Sequence, residues 1–330
     1  MSVSSDAAGP GHPSHANGTP QTDLRQRFLF EYANVRGELI HLDSALSALL
    51  SRCSYPPVLA VQLGEAMAAV GLLSSTLKFD GSLILQLSGN GALRTLVASA
   101  SHDRDLRAVA RLDEAAALPD APSGPVDPSR RSTARGSARV PLTDLAGEGY
   151  LAITIDPEDD GERYQGIVSL TGEHLADSLE AYFAESEQLP TRLWLVSDGE
   201  RAAGLLLQRL PGHDHGDPDA WDRAQHLAAT LAADELLDLP AETVLLRLFH
   251  EEIIRVFEPQ PMRFHCHCSR ERLGRAVTAM GHDEARSVIA EQGRLEGQCG
   301  FCGQTYQFDA VDIEQLFQQG GTDTGGETRH

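Results

Sequence analysis

Two close pairs of thiols, Cys266-His267-Cys268 and Cys299-Gly300-Phe301-Cys302, stand thirty residues apart near the carboxyl end of this 330-residue chain. A tetrahedral zinc ion asks for such an arrangement: each pair occupies one edge of the tetrahedron, and the intervening segment folds back to bring the edges together. Thiolates on zinc stay deprotonated and open to oxidants, and each has a resolving thiol with only one or two residues between. The spacing fits a permanent structural zinc module, a zinc-bound redox centre, or thiols without metal. The expected state of the reduced chain is one Zn2+ per chain, held by Cys266, Cys268, Cys299 and Cys302. His265 and His267 could substitute as ligands, but four thiolates already complete the tetrahedron, and nothing here supplies the open position that a catalytic zinc keeps. Gly300 and Gly303 suit a tight knuckle that needs unusual backbone angles. The fifth cysteine, Cys53, precedes Tyr55-Pro56-Pro57 with no partner nearby in sequence and reads as a small buried hydrophobe.

Other motifs carry less. Gly89-x-Gly91 continues into Ala92-Leu93 rather than a dinucleotide fingerprint and reads as a turn. His250-Glu251-Glu252 lacks the second histidine of a zinc-protease helix, because Ile254 stands in its place. His213 and His215 lie in an acidic stretch that reads as solvated linker.

The elements that must position the cysteines form an α+β pattern: a mixed helix and sheet core, a helical linker and a small zinc-binding C-terminal domain. Residues 1–22 and 319–330 read as polar, disordered tails. From 23 to 211 the pattern gives a core. A strand from Leu24 leads into an amphipathic helix bearing Leu39, Ile40, Leu42, Leu46, Leu49 and Leu50. A buried helix spans 57–77, and strands fall at 82–87, 93–98, 106–111, 150–155, 164–170, 192–197 and 202–210, with a helix at 173–187. Residues 119–141 hold five prolines among Arg130, Arg131, Arg135 and Arg139 and read as a mobile insertion. Residues 212–258 carry 11 acidic and 3 basic side chains. Their helical stretch nonetheless has an apolar side that includes Leu227, Leu231, Leu245, Phe249 and Phe257 and must pack on something. In the zinc domain, 259–318, two short helices meet at Gly281, the second with Asp283 as its expected cap, and a strand at Tyr306 and Phe308 precedes a last helix capped by Asp309.

Composition narrows the partners. A net charge of −21, from 27 basic and 48 acidic residues, repels phosphate backbones and anionic lipid, so neither nucleic acid nor a membrane is an expected partner. The apolar stretch Val58–Leu77 is interrupted by Gln62, Glu65, Ser74 and Ser75 and reads as a buried helix rather than a span. The amino terminus shows no apolar run of a signal peptide, and four crowded cysteines favour metal or redox chemistry over a secreted disulfide framework. A cytoplasmic location is expected.

Several longer stretches resemble the bacterial heat-shock protein 33 family of redox-regulated holdase chaperones. The likeness is carried by Val35-Arg36-Gly37-Glu38-Leu39, Leu77-Lys78-Phe79-Asp80-Gly81, Gly161-Glu162-Arg163-Tyr164-Gln165-Gly166, Ser186-Glu187-Gln188-Leu189-Pro190-Thr191-Arg192, Phe249-His250-Glu251-Glu252 and Cys268-Ser269-Arg270-Glu271-Arg272. It runs from about Phe28 to Phe317, and the polar amino terminus and the Arg-rich insertion depart from it without touching the motifs. The resemblance implies a non-enzymatic chaperone that binds unfolded client proteins under oxidative stress. It implies a zinc-bound, inactive reduced state, and oxidation to disulfides Cys266 with Cys268 and Cys299 with Cys302. Zinc release and an active homodimer follow in that picture.

Elementary energetics make such a switch workable. A segment of about 60 residues has at most a few kcal/mol of its own stability, whereas a structural zinc contributes on the order of 10 to 16 kcal/mol. Losing the metal is expected to unfold the domain and loosen the adjacent linker. Two rivals remain at this level: a non-chaperone adaptor with a permanent zinc ribbon, and a thiol oxidoreductase using Cys299 and Cys302, which lacks the strand-to-helix setting expected of it.

Overall fold

The computed structural model describes residues 23–76, 80–118, 140–158, 161–211 and 217–320. The expected tails save residues 319–320, nearly all of the insertion, the Leu77–Phe79 part of one motif, and His213 and His215 lie outside them.

Two sheets, antiparallel but for one short edge strand, enclose one helix. The first contains β1 (Leu24–Phe30), β2 (Val35–Leu42), β8 (Thr191–Ser197) and β9 (Ala202–Arg209), with β10 (Ile254–Val256) and β11 (Gln260–Pro261) both on β1, in the order β10-β1-β2-β9-β8. The second runs β12-β5-β4-β3-β6-β7, from β3 (Gly81–Gly89), β4 (Leu93–Ser101), β5 (Asp105–Leu112), β6 (Gly149–Pro157), β7 (Tyr164–Ser169) and β12 (Arg263–Phe264). Between them lies α2 (Pro57–Leu73), buried on every side from Leu59 to Leu73. A helix apolar all round has nowhere else to go. Gly71 lets it approach β2, since a Cβ there would meet Ile40 at 2.4 Å. Two further helices, α3 (Leu142–Ala146) and α4 (Leu175–Tyr182), add Leu145, Leu179 and Tyr182 to the same core.

The strands record how many faces are covered. On β3, Leu83, Leu85 and Leu87 point inward and alternate with Ser82, Ile84 and Gln86, a strand buried on one face. On β2 the even positions Ile40 and Leu42 face α2 while Val35 and Leu39 face the opposite way into a second core, and β9 divides in the same manner. The run 202–207 of β9, without a polar side chain, requires cover on both faces, and β2 beside it is covered likewise although Arg36, Glu38 and His41 interrupt it. The segment from Leu39 to Leu42 is therefore strand, not the start of the expected helix, and α1 (Ser44–Leu50) begins after it. Its periodicity is ambiguous because a doubly buried strand does not alternate.

The outer cover is the linker. Three short helices, α5 (Ala220–Ala228), α6 (Ala233–Asp238) and α7 (Ala241–Phe249), lay Ala224, Ala228, Leu236, Leu237, Val244, Leu245, Leu248 and Phe249 on Phe28, Phe30, Val35, Leu39, Val196, Leu205 and Leu207. Where the sequence suggests helix to 258, the chain is extended from Ile254: β10 pairs with β1, and β12 pairs parallel with β5. Ile253-Ile254 and the prolines 259 and 261 favour extended backbone there.

Beyond β12 a small separate core of Val277, Ala285, Leu295, Phe308 and Ile313 joins α8 (Arg270–Met280), α9 (His282–Gln292), α10 (Ala310–Gly320) and the hairpin β13 (Leu295–Gln298) with β14 (Thr305–Phe308). Gly281, at φ 103°, precedes α9 as its cap, so Asp283 falls inside the first turn rather than capping it. The Asp309 carboxylate accepts from the Asp312 N–H at 2.8 Å at the start of α10.

Candidate metal centre

The four predicted thiols converge. All are free, and their sulfurs lie within 4.8 Å of one another. The Cys266 and Cys299 sulfurs are 3.6 Å apart and those of Cys268 and Cys302 3.4 Å. A zinc–sulfur bond of about 2.3 Å sets a tetrahedral edge of about 3.8 Å, so these residues fit a tetrahedral thiophilic cation with little adjustment.

Electrostatics point the same way. Burial pushes the Cys266 thiol up to about 11, and burial with the crowding of the other three sulfurs pushes Cys302 up further. Burial opposes ionisation of Cys299 too, but the N–H groups of Phe301 and Cys302 together with the Cys266 and Cys302 thiols outweigh it and bring that thiol down. Several clustered thiolates need a cation, and a divalent metal supplies the charge. The Tyr306 hydroxyl lies 3.3 Å from both the sulfur and the carbonyl oxygen of Cys268.

Local sequence explains the convergence. Cys266 and Cys268 sit on an extended ribbon that stops where Ser269 caps α8, its hydroxyl accepting from the Arg272 N–H at 3.2 Å. Arg270 then reaches across to the Gln307 carbonyl at 2.5 Å and the Asp312 carboxylate at 2.6 Å, and lies over the Phe308 ring. The second pair sits on the turn joining β13 to β14, where Gly303 N–H donates to the Cys299 carbonyl at 2.9 Å. Gly303 takes φ 69°, as a knuckle requires; Gly300 does not adopt a positive φ, so only one of the two expected glycines carries that constraint.

The centre leans on the core. Arg107 of β5 lies 4.5 Å over the Phe301 ring, Arg52 lies 4.9 Å over Phe264, and the His265 N–H donates to the Leu106 carbonyl. A Cβ on Gly303 would come within 3.6 Å of the Cys53 sulfur, so the fifth cysteine, which shows no partner in sequence, stands against the knuckle.

The helix-filled double sheet with its small C-terminal module can be compared with known proteins. The family model described as Hsp33 protein matches residues 23–309. The chain belongs to the Hsp33 family. It is 45% identical over 316 residues to a 33 kDa chaperonin of Pseudomonas savastanoi pv. phaseolicola, covering 94% of this chain and 99% of that protein. It is 46% identical over 308 residues to a 33 kDa chaperonin of Nitrosococcus oceani, covering 93% and 99%. The crystal structure of the 33 kDa chaperonin from Thermotoga maritima superposes with a TM-score of 0.75, covering 91% of this chain and all of that one at 21% identity, which establishes the shared fold.

Within this Hsp33-family chain the expected linker residues are divided. Leu245 and Phe249 are buried against the first sheet, while Leu227 and Leu231 are half-buried at its margin. Phe257 is 37% exposed and lies outside that layer, just past the edge strand β10 that replaces the expected helix. Leu237 and Val244 share the buried layer without standing out in sequence, since the breaks between three short helices disrupt a single helical period.

Proposed function

We propose that this chain is a redox-regulated holdase that binds unfolded proteins, is inactive with zinc on Cys266, Cys268, Cys299 and Cys302, and is activated when oxidation expels the metal. The observation that carries the reading is the linker layer, an apolar sheet face covered by three short helices whose exit segment runs directly into the ribbon bearing Cys266 and Cys268. The chaperonins it resembles are named for a chaperone role, and the chain is read as a chaperone and not an enzyme.

With zinc bound, the four thiolates tie the ribbon to the knuckle and keep α8 to α10 folded. Oxidation joins two sulfurs per disulfide, releases two electrons per bond to an oxidant such as peroxide, and leaves no thiolate for the metal. The small module then has too little core to stay folded. Its collapse frees the ribbon and β12, and with them the anchor of the linker. The first-sheet face and the linker's own Leu245 and Phe249 become available to unfolded clients.

The shortest sulfur contacts in the folded state run across the pairs, Cys266 to Cys299 and Cys268 to Cys302. The proposed disulfides, Cys266 with Cys268 and Cys299 with Cys302, are favoured once the module opens, because closing a short loop within a pair costs far less entropy than closing the long one between pairs. Peptide mapping of the oxidised chain should recover these two local bridges; cross-pair bridges would place the chemistry before unfolding.

The active form is proposed to be a homodimer in the cytoplasm. Among the described residues no helix is long and apolar enough to cross a membrane. The test of the function is suppression of light scattering by a chemically unfolded client. The oxidised, zinc-free chain should suppress it at near-equimolar ratio and elute as a dimer, whereas equal suppression by the reduced chain would contradict the reading.

A further inference from the structure

The ribbon that carries Cys266 and Cys268 has a second side. In extended backbone, alternate residues face opposite ways, so the two thiols turn toward the knuckle while His265 and His267 turn toward the core. There they meet Asp105 on β5. His265 Nδ1 lies 3.0 Å and His267 Nε2 3.1 Å from the same oxygen, Asp105 Oδ2. The imidazole planes stand 79° apart with centroids 4.3 Å from each other, and all three donor atoms fall within 4.8 Å. Arg263 takes the other oxygen, Oδ1, at 2.5 Å, which orients the carboxylate and leaves Oδ2 to the histidines. The carboxylate is buried at 2% exposure, while the two imidazoles are 51% and 42% exposed.

We propose that Asp105, His265 and His267 form a second metal site, separate from the four cysteines, for a borderline first-row divalent cation such as Ni2+, Co2+ or Zn2+. Two imidazoles and one carboxylate suit such ions, whereas Mg2+ and Ca2+ prefer all-oxygen shells. Each neutral imidazole presents one nitrogen lone pair to the metal and keeps its proton on the other nitrogen. Water fills the remaining positions, so the site is weaker and more exchangeable than the four-thiol centre. A bound ion would join β5 of the core to the cysteine ribbon at the place where the zinc module hangs from the core.

The probe is Ni2+, titrated calorimetrically into the reduced, zinc-loaded full-length chain. One saturable equivalent is expected, with zinc retained and nitrogen and oxygen neighbours alone at the nickel absorption edge. His265→Asn and His267→Asn, on exposed imidazoles, should each keep one zinc and weaken nickel binding tenfold or more. Asp105→Asn should do the same if the module stays docked, and the histidine variants decide the matter if it does not. Absence of saturable binding, sulfur neighbours around nickel, or unchanged affinity in both histidine variants would overturn the site. A second effect rests on the redox reading above: nickel should slow peroxide-driven zinc release in the wild type and not in the histidine variants. The titration is independent of that reading, so the two can fail separately.

Discussion

Cys299 and Cys302 are only 8% exposed each, whereas Cys266 and Cys268 are half-buried on the ribbon. The ribbon pair is therefore the more accessible of the two. Four thiols at this spacing were legible in sequence because a metal ligand set is local in each half. What surrounds them was not: Asp105 on β5 and Cys53 just after α1 lie in the first half of the chain, far in sequence from the ribbon, and only the docking of the module onto α1 and β5 brings them near. Cys53 tests how far proximity matters. Burial pushes its thiol above the ordinary range, which makes it a poor nucleophile beside a coordinated set. Cys53→Ser should leave zinc at one equivalent per chain by elemental analysis; loss of zinc would make Cys53 a support of the knuckle.

At the scale of elements, the two-sided burial of β9 was present in the sequence as the unbroken run 202–207, but a run does not say what covers the second face, and in β2 Arg36, Glu38 and His41 break the pattern. The helices that do so are six to nine residues long, too short to persist in water without that contact. Leu245→Asp would place an uncompensated charge in the layer, at a cost of a few kcal/mol. The variant should keep its zinc and yet suppress client aggregation while reduced; continued inactivity would locate the latch in the zinc module itself. Acid should act at the same seam. His41 on β2 donates through Nε2 to the Leu236 carbonyl of α6 at 2.8 Å, and burial, with Arg201 nearby, holds its pKa below the ordinary value of 6.5. A depressed folded-state pKa gives stability that is complete above the unfolded value and lost as pH falls below about 6.5. The protection of the α6 amides, their exchange rate relative to the intrinsic rate at each pH, should therefore fall as the pH drops from about 7.5 to about 5.5. His41→Asn should remove most of that pH dependence, and an equal response in the variant would clear His41 of the role.

For the molecule as a whole, stability is unevenly divided. The helix-filled double sheet has a large core, the linker layer a smaller one, and the zinc module an apolar centre of only a few side chains. A structural zinc on the four thiols would contribute on the order of 10 to 16 kcal/mol, more than that small centre supplies. In the proposed function, folding, metal binding and covering of the first sheet form one coupled equilibrium, with the cysteine ribbon as the joint. The α+β architecture was readable from strand and helix periods, while the strands at 254–264 that fasten the joint were not, because strands of two or three residues leave no pattern. The most direct measurement is to add peroxide to the reduced, zinc-loaded chain and follow zinc release, with a chromogenic chelator, and suppression of client aggregation in the same time course. The account predicts that the two rise together and that a reductant with added zinc reverses both. Suppression that is complete before any zinc leaves, or full zinc release without suppression, would contradict it.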